Sequence, residues 1–378
     1  MKSLVTGLLA GLLLITINAS AEIPVPSAPE ISARGYILVD HNSGRVLASR
    51  NENERLDPAS ITKLMTAYAA FRALRDGQIT LSEEIPISER AWRTQGSRMF
   101  IEVNTRVPVE DLMQGMIVQS GNDASVALAE YLAGSEAVFA ELMNSYAREL
   151  GMVNTQYRNA TGLPAEGHYT TAADIALLAS AIVREFPQYY GWYSQREYSY
   201  NGITQKNRNA LLWRDPSVDG MKTGMTDAAG YCLVSSAQRD GMRLIAVVLG
   251  TKSPTARAND SQSLLNYGFR FFETRLLYTA GQPVTETRVW KGEAESAGLG
   301  VRQDIYVTIP RGTYDQLQAQ LDLPDQVVAP VDTAQELGVL RVNLANERLF
   351  ETNLFALNAV STGSLWQQAR DSVLLWFE

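Results

Sequence analysis

Ser60 and Lys63 lie three residues apart in the segment Asp57-Pro58-Ala59-Ser60-Ile61-Thr62-Lys63. On a helix that spacing puts both side chains on one face, where hydroxyl and amine can touch. A serine hydroxyl is a poor nucleophile until an adjacent base takes its proton, and a lysine serves when burial and nearby positive charge hold it neutral. A helix N-terminus supplies part of that potential. Arginine cannot release its proton, so it matters that the chain has only six lysines and that two of them, Lys63 and Lys222, sit in short polar motifs. His41 and His168 are the only histidines and neither has a Ser-His-Asp context, which makes a histidine triad the weaker reading. Alone, S-x-x-K also describes a solvated helix surface.

A second element, Ser120-Gly121-Asn122, falls between two expected helices just before Asp123, where side chains can point into a cleft. Ser-Gly-Asn-Asp is equally good loop and N-cap chemistry, and Ser199-Tyr200-Asn201 fits S-x-N too. The third element is Lys222-Thr223-Gly224, ahead of an expected strand at Tyr231. A glycine there lets a substrate backbone approach a strand edge, and lysine and threonine can hold a carboxylate. In order, S-x-x-K, S-x-N about 60 residues on and K-T-G about 100 further form the signature of serine acylases.

With these motifs the chain resembles the low-molecular-mass penicillin-binding proteins and, among them, the D-alanyl-D-alanine carboxypeptidases. The likeness extends through Asn201-Gly202-Ile203-Thr204-Gln205-Lys206-Asn207-Arg208-Asn209, Leu211-Leu212-Trp213, Val218-Asp219-Gly220-Met221 and Leu244-Ile245-Ala246-Val247-Val248, and covers nearly the whole mature chain. It implies an α+β, β-lactamase/transpeptidase-like domain, an antiparallel sheet with helices on both sides and a helical subdomain, followed by a small β-rich domain. It also implies an acyl-enzyme mechanism without cofactor or metal, peptidoglycan stem peptides as substrate and β-lactam antibiotics as covalent inhibitors. By the resemblance Ser60 is the nucleophile, Lys63 its base, Ser120 and Asn122 a proton relay and amide clamp, and Lys222 completes the charge network. Thr223, Gly224 and Met225 bind substrate, with the backbone N–H groups of Ser60 and Met225 as oxyanion hole. Arg208 and Arg257 match arginines near the family's cleft, and Arg257 is expected to meet the terminal carboxylate directly. Asp174 matches a loop near the cleft, although it also reads as an N-cap or surface carboxylate. Met225 stands where close relatives often carry histidine, which leaves a backbone contact intact.

Transpeptidases and β-lactamases share the signature. A class A β-lactamase would carry a glutamate loop of the E-x-x-L-N kind, which residues 159–174 do not contain. An idle peptidoglycan-binding scaffold on the same fold would not need the reactive groups.

These side chains must be positioned by an ordered set of elements. Strands over 36–40 and 45–48, joined at Asn42-Ser43-Gly44, read as a hairpin. Residues 57–75 read as a helix capped by Asp57, with Pro58 in its first turn, Leu64, Tyr68, Phe71 and Leu74 recurring along it, and Gly77 after its end. Further helices are expected over 109–118, 124–133, 137–150 and 172–184. A second hairpin over 231–249, turning at Asp240-Gly241, precedes a helix over 261–272. Short alternating strands such as 287–290, 304–309 and 338–343 then mark the β-rich domain, giving an enzyme domain over 22–276 and a second domain over 277–360.

Lys2, an apolar run over 8–17 and Ala19-Ser20-Ala21 form a secretory signal over 1–21, so the mature chain is expected outside the cytoplasm, and the resemblance implies the periplasmic face of the inner membrane. Its loss takes the formal charge from -8 to -9, which gives no general attraction to nucleic acid. Cys232 is the only cysteine, lies in the apolar run Tyr231-Cys232-Leu233-Val234, and reads as a buried structural thiol. In the last segment, 361–378, Ser364 can cap a helix on which Leu365, Trp366, Ala369, Val373, Trp376 and Phe377 share an arc of roughly 120°. The resemblance implies an amphipathic anchor on the membrane surface; a helix docked by its apolar face on the β-rich domain is the alternative.

Overall fold

The computed structural model describes residues 25–377, and the secretory signal expected over 1–21 lies outside them. Five antiparallel strands, β1 (Gly35–Asp40), β2 (Val46–Arg50), β3 (Val218–Thr226), β4 (Gly230–Arg239) and β5 (Met242–Thr251), form the central sheet in the order β2-β1-β5-β4-β3. Pairing of β1 with β5, Ile37 opposite Val247, closes the first hairpin onto the last, so all of the helical middle is inserted between β2 and β3. Alternate residues enter different cores: Ile37, Val39, Ile245 and Val247 face one, Tyr36, Leu38, Leu244 and Val248 the other. A sheet buried on both faces needs a layer on each.

The middle of the chain supplies α1 (Lys63–Arg75), α2 (Val109–Gln119), α3 (Asn122–Ala133), α4 (Glu136–Glu149) and α5 (Ala172–Glu185), whose apolar faces fill the first core. Helix α6 (Pro254–Phe271) covers the opposite face through Ala258, Leu264 and Leu265. The α+β class expected from the sequence is therefore the one observed.

Two helix starts differ from the sequence expectation. Ala59–Thr62 is a 3-10 turn whose cap position falls on Pro58, not Asp57, and the α-helix begins only at Lys63. Ala59 has φ +47°, a left-handed conformation that no α-helix accommodates. Helix α6 starts at Pro254 rather than near 261, with the Ser253 side chain accepting from the Ala256 N–H. Its first turns, with Arg257, Asn259 and Asp260, carry little of the apolar periodicity that marks the rest.

From Phe272 the chain builds β-structure with its own core, including Leu299, Leu340 and Leu354. A six-stranded sheet runs through Leu317–Asp322, Glu336–Leu344, Glu347–Ala356, Ser296–Gly300, Pro283–Trp290 and Val327–Val328, and Phe272–Tyr278 pairs separately with Ile305–Pro310. Buried Asp40 ties the two parts together by accepting from Thr274 Oγ1 at 2.7 Å. Helix α7 (Leu365–Leu374) follows.

Candidate active site

The left-handed Ala59 turns the chain so that Ser60 stands on a 3-10 turn at the edge of a cleft of about 450 Å³. A non-glycine residue in that conformation costs on the order of 1 kcal/mol and persists only where its surroundings hold it. Two glycines show how closely they do. A Cβ on Gly224 of β3 would sit 3.1 Å from Pro58 O and 3.2 Å from Ala59 Cβ, so the strand carrying Lys222 runs directly against the turn that bears Ser60. Gly162, at φ +82°, lets the loop after α4 press on the same turn, where a Cβ would lie 1.7 Å from Ala59 O.

Lys63 is fully enclosed, and its Nζ lies 3.1 Å from Ser60 Oγ, 2.7 Å from Asn122 Oδ1 and 2.6 Å from Thr161 O. Burial, reinforced by Arg208 and opposed by Asp123, lowers its pKa from the usual 10.5 to about 7. The geometry suits both protonation states. As an ammonium Lys63 uses all three N–H bonds, whereas as an amine it keeps the two shorter ones and turns its lone pair to Ser60 Oγ. Asn122 is held in turn by donating from Nδ2 to Gln95 O at 2.6 Å. Asp123, fully buried, accepts from the N–H groups of Met99, Phe100 and Ala124 and so fixes the wall beside it.

Ser120 ends α2 in the left-handed conformation, φ +67°, which aims its side chain into the cleft instead of along the helix. Its Oγ is buried and hydrogen-bonded to no group among the described residues. Lys222 is buried, donates to Thr223 O at 3.1 Å, and has a pKa driven well below the ordinary value by burial and then by Lys63, Arg208 and Arg257. Arg257, on the first turn of α6, donates from Nη1 to Gly224 O at 3.1 Å; burial lowers its pKa, and no carboxylate among the described residues pairs with it. Arg208 lines the same cleft, its pKa also lowered by burial. One wall therefore carries three basic side chains, Lys222, Arg208 and Arg257, without a partner carboxylate among the described residues, the other a serine with a neutralisable base.

Ten of the residues singled out in the sequence converge here: Ser60, Ser120, Asn122, Arg208, Thr223, Gly224, Met225 and Arg257 line the cleft, with Lys63 and Lys222 buried against it. Asp174 is not among them. It sits in the first turn of α5 and accepts from Asn154 N at 2.8 Å and Thr155 Oγ1 at 2.7 Å. Cys232 is fully buried in β4. Thr161 O is a site atom that sequence reasoning missed, since a backbone acceptor has no residue type to announce it. The Asn159-Ala160-Thr161-Gly162 turn was the available signal.

A model of the peptidase S11 family, D-alanyl-D-alanine carboxypeptidase, matches residues 23–253, and one of the penicillin-binding protein 5 C-terminal domain matches residues 272–362. The chain belongs to the D-alanyl-D-alanine carboxypeptidase family, S11. Within that family it is 42% identical to D-alanyl-D-alanine carboxypeptidase DacC of Escherichia coli, covering 100% of this chain and 97% of that one. The crystal structure of penicillin-binding protein 5 from Haemophilus influenzae superposes with a TM-score of 0.85 at 40% identity, covering 89% of this chain and 99% of the other. Penicillin-binding protein D2 from Listeria monocytogenes, in its ampicillin-bound form, is 30% identical with a TM-score of 0.60 and covers 65% of this chain and 100% of its own. The first of these two models spans the cleft-bearing domain and the second the β-rich one.

Proposed function

We propose that this chain, a serine-type D-alanyl-D-alanine carboxypeptidase by family, removes the terminal D-alanine of peptidoglycan stem peptides through an acyl-enzyme on Ser60. Neutral Lys63 takes the Ser60 proton as Oγ attacks the penultimate D-alanine carbonyl. The backbone N–H groups of Ser60 and Met225 stabilise the oxyanion, and the terminal carboxylate is received by Arg257 and Arg208 beside Lys222 and Thr223. Asn122 clamps the substrate amide, and Ser120 passes the proton to the departing amine. Water then resolves the acyl-enzyme. A β-lactam acylates the same serine, in keeping with the ampicillin complex of the Listeria relative.

The observation that carries this reading is Lys63 Nζ at 3.1 Å from Ser60 Oγ with its pKa lowered to about 7. The test is release of D-alanine from a D-alanyl-D-alanine peptide. Ser60→Ala should abolish it and Lys63→Arg, which keeps the charge and loses the base, should lower it by about 10²–10⁴-fold. Turnover retained by either variant counts against the assignment.

In this reading residues 1–21 are the export signal, 22–276 the enzyme, 277–360 a stalk and 361–378 the anchor, and the protein works at the outer face of the inner membrane. Helix α7 supports attachment at the membrane surface through the direction it faces. Its polar side is turned inward, with buried Asp371 accepting from Lys291 N at 2.7 Å and Arg370 pairing with Glu295 at 3.2 Å. Leu365, Trp366, Val373, Trp376 and Phe377 are exposed, Trp376 by 91%, which is the reverse of a helix docked by its apolar face. Tryptophan at such a surface suits the membrane interface. Among the described residues no helix is long and apolar enough to cross a bilayer.

A further inference from the structure

Nine methionines fall within the described residues, and they divide sharply. Met65, Met99, Met113, Met116, Met143, Met152, Met221 and Met242 are each at most 3% exposed. Met225 is 52% exposed and lines the mouth of the cleft. It follows Gly224 on β3, directly opposite Tyr231, and forms with Tyr231 and Leu163 an apolar part of the cleft rim. The other sulfur is no competitor: Cys232 is fully buried, and burial pushes its thiol up to about 11, so the reactive thiolate is absent at neutral pH.

We propose that Met225 is a selective oxidation site through which a two-electron oxidant of the peroxide class lowers acylation of Ser60. A Sδ lone pair attacks one peroxide oxygen, the O–O bond breaks and an S–O bond forms. The displaced hydroxide takes the proton carried by the oxygen now bound to sulfur and leaves as water, the sulfur being oxidised and the peroxide reduced by two electrons. The product replaces an apolar, flexible side chain by a polar sulfoxide. That places a strong acceptor on the rim of a cleft whose Arg208 and Arg257 have no carboxylate partner among the described residues. The sulfoxide oxygen competes with the substrate carboxylate for those cations, and its hydration must be disrupted when substrate enters. Methionine sulfoxide is reducible, so the effect is reversible.

The experiment treats the mature protein with graded hydrogen peroxide, maps sulfoxides by peptide mass spectrometry, and measures the rate of penicillin labelling on the same samples. Met225 should be oxidised well ahead of the eight buried methionines, and labelling should fall about threefold or more as its sulfoxide accumulates. The rate should return with the pair of methionine sulfoxide reductases that act on the two epimers. Met225→Leu, compared with its own untreated rate, should lose nothing at the same doses. Equal losses in Met225→Leu, earlier oxidation of a buried methionine, or complete Met225 sulfoxide with an unchanged rate would each overturn the proposal. Since the rate effect rests on Ser60 acylation in this cleft, a protein that never labels contradicts the acyl-enzyme reading. One that labels and ignores oxidation contradicts only the role of Met225.

Discussion

Two arginines packed against the same sheet live in opposite circumstances. Arg243 of β5 forms a two-pronged pair with Asp219, Nη1 to Oδ1 at 2.8 Å and Nη2 to Oδ2 at 2.7 Å, and donates again to Ser236 Oγ. Burial pulls its pKa down, but Asp219 together with Tyr190 more than restores it, so it ends above the ordinary value. Arg257 is more enclosed, at 7% exposure, has only backbone carbonyls as hydrogen-bond partners among the described residues, and stays below the ordinary value because burial is not offset. A buried cation without a counter-charge is costly. That the fold tolerates one beside Lys222 and Arg208, while supplying Asp219 for Arg243, marks the cleft as a place where the anion arrives with the ligand.

The comparison is broken most severely at Arg257. Arg257→Ala should lower kcat/KM on a peptide ending in a free D-alanine carboxylate by about 10- to 100-fold, and far less on an amidated analogue. Equal losses on both would make Arg257 a structural residue like its counterpart. Arg243→Ala should do the reverse, destabilising the fold by about 2 kcal/mol in urea unfolding, between the values for surface and buried pairs, with turnover per folded molecule unchanged.

A smaller effect sharpens the same contrast through pH. Only neutral Lys63 can accept the serine proton, so acylation should rise with pH through about 7 and level off above it. Arg208 is, after burial, the next influence holding that pKa down. Arg208→Ala should therefore move the rise to higher pH, seen in the pH profile of penicillin labelling, whereas Arg243→Ala should leave it in place. The smallest effect on catalysis is expected far from both arginines. Removing the residues after Gly363 should release the protein from membrane vesicles into the soluble fraction and leave labelling unchanged. A truncated protein that aggregates or unfolds would show α7 to be part of the core.

The motifs were legible because their chemistry restricts residue type: only a lysine, not an arginine, can serve as a neutralisable base three residues from a serine, and K-T-G needs its glycine where β3 passes Ala59. The long helices were legible because their apolar faces repeat, and helices over 109–119, 122–133, 136–149 and 172–185 begin and end within two residues of expectation. What escaped the sequence depends on backbone geometry. The left-handed Ala59 has no compositional signature, so the Ser60 turn read as ordinary helix. The polar first turns of α6 hid its start and left Arg257 without an element to carry it, although Ser253-Pro254 is a helix-start signal. The inward face of α7 could not be foreseen either, because Asp371 is buried by a backbone N–H donor on a distant strand end.

The central claim, that Ser60 is acylated with Lys63 as its base, is tested most directly by locating the penicillin adduct. Intact mass followed by peptide mapping should give one adduct per chain, on the peptide containing Ser60, formed faster as pH rises through about 7. An adduct on any other residue, or full labelling of the Ser60→Ala protein, would contradict it.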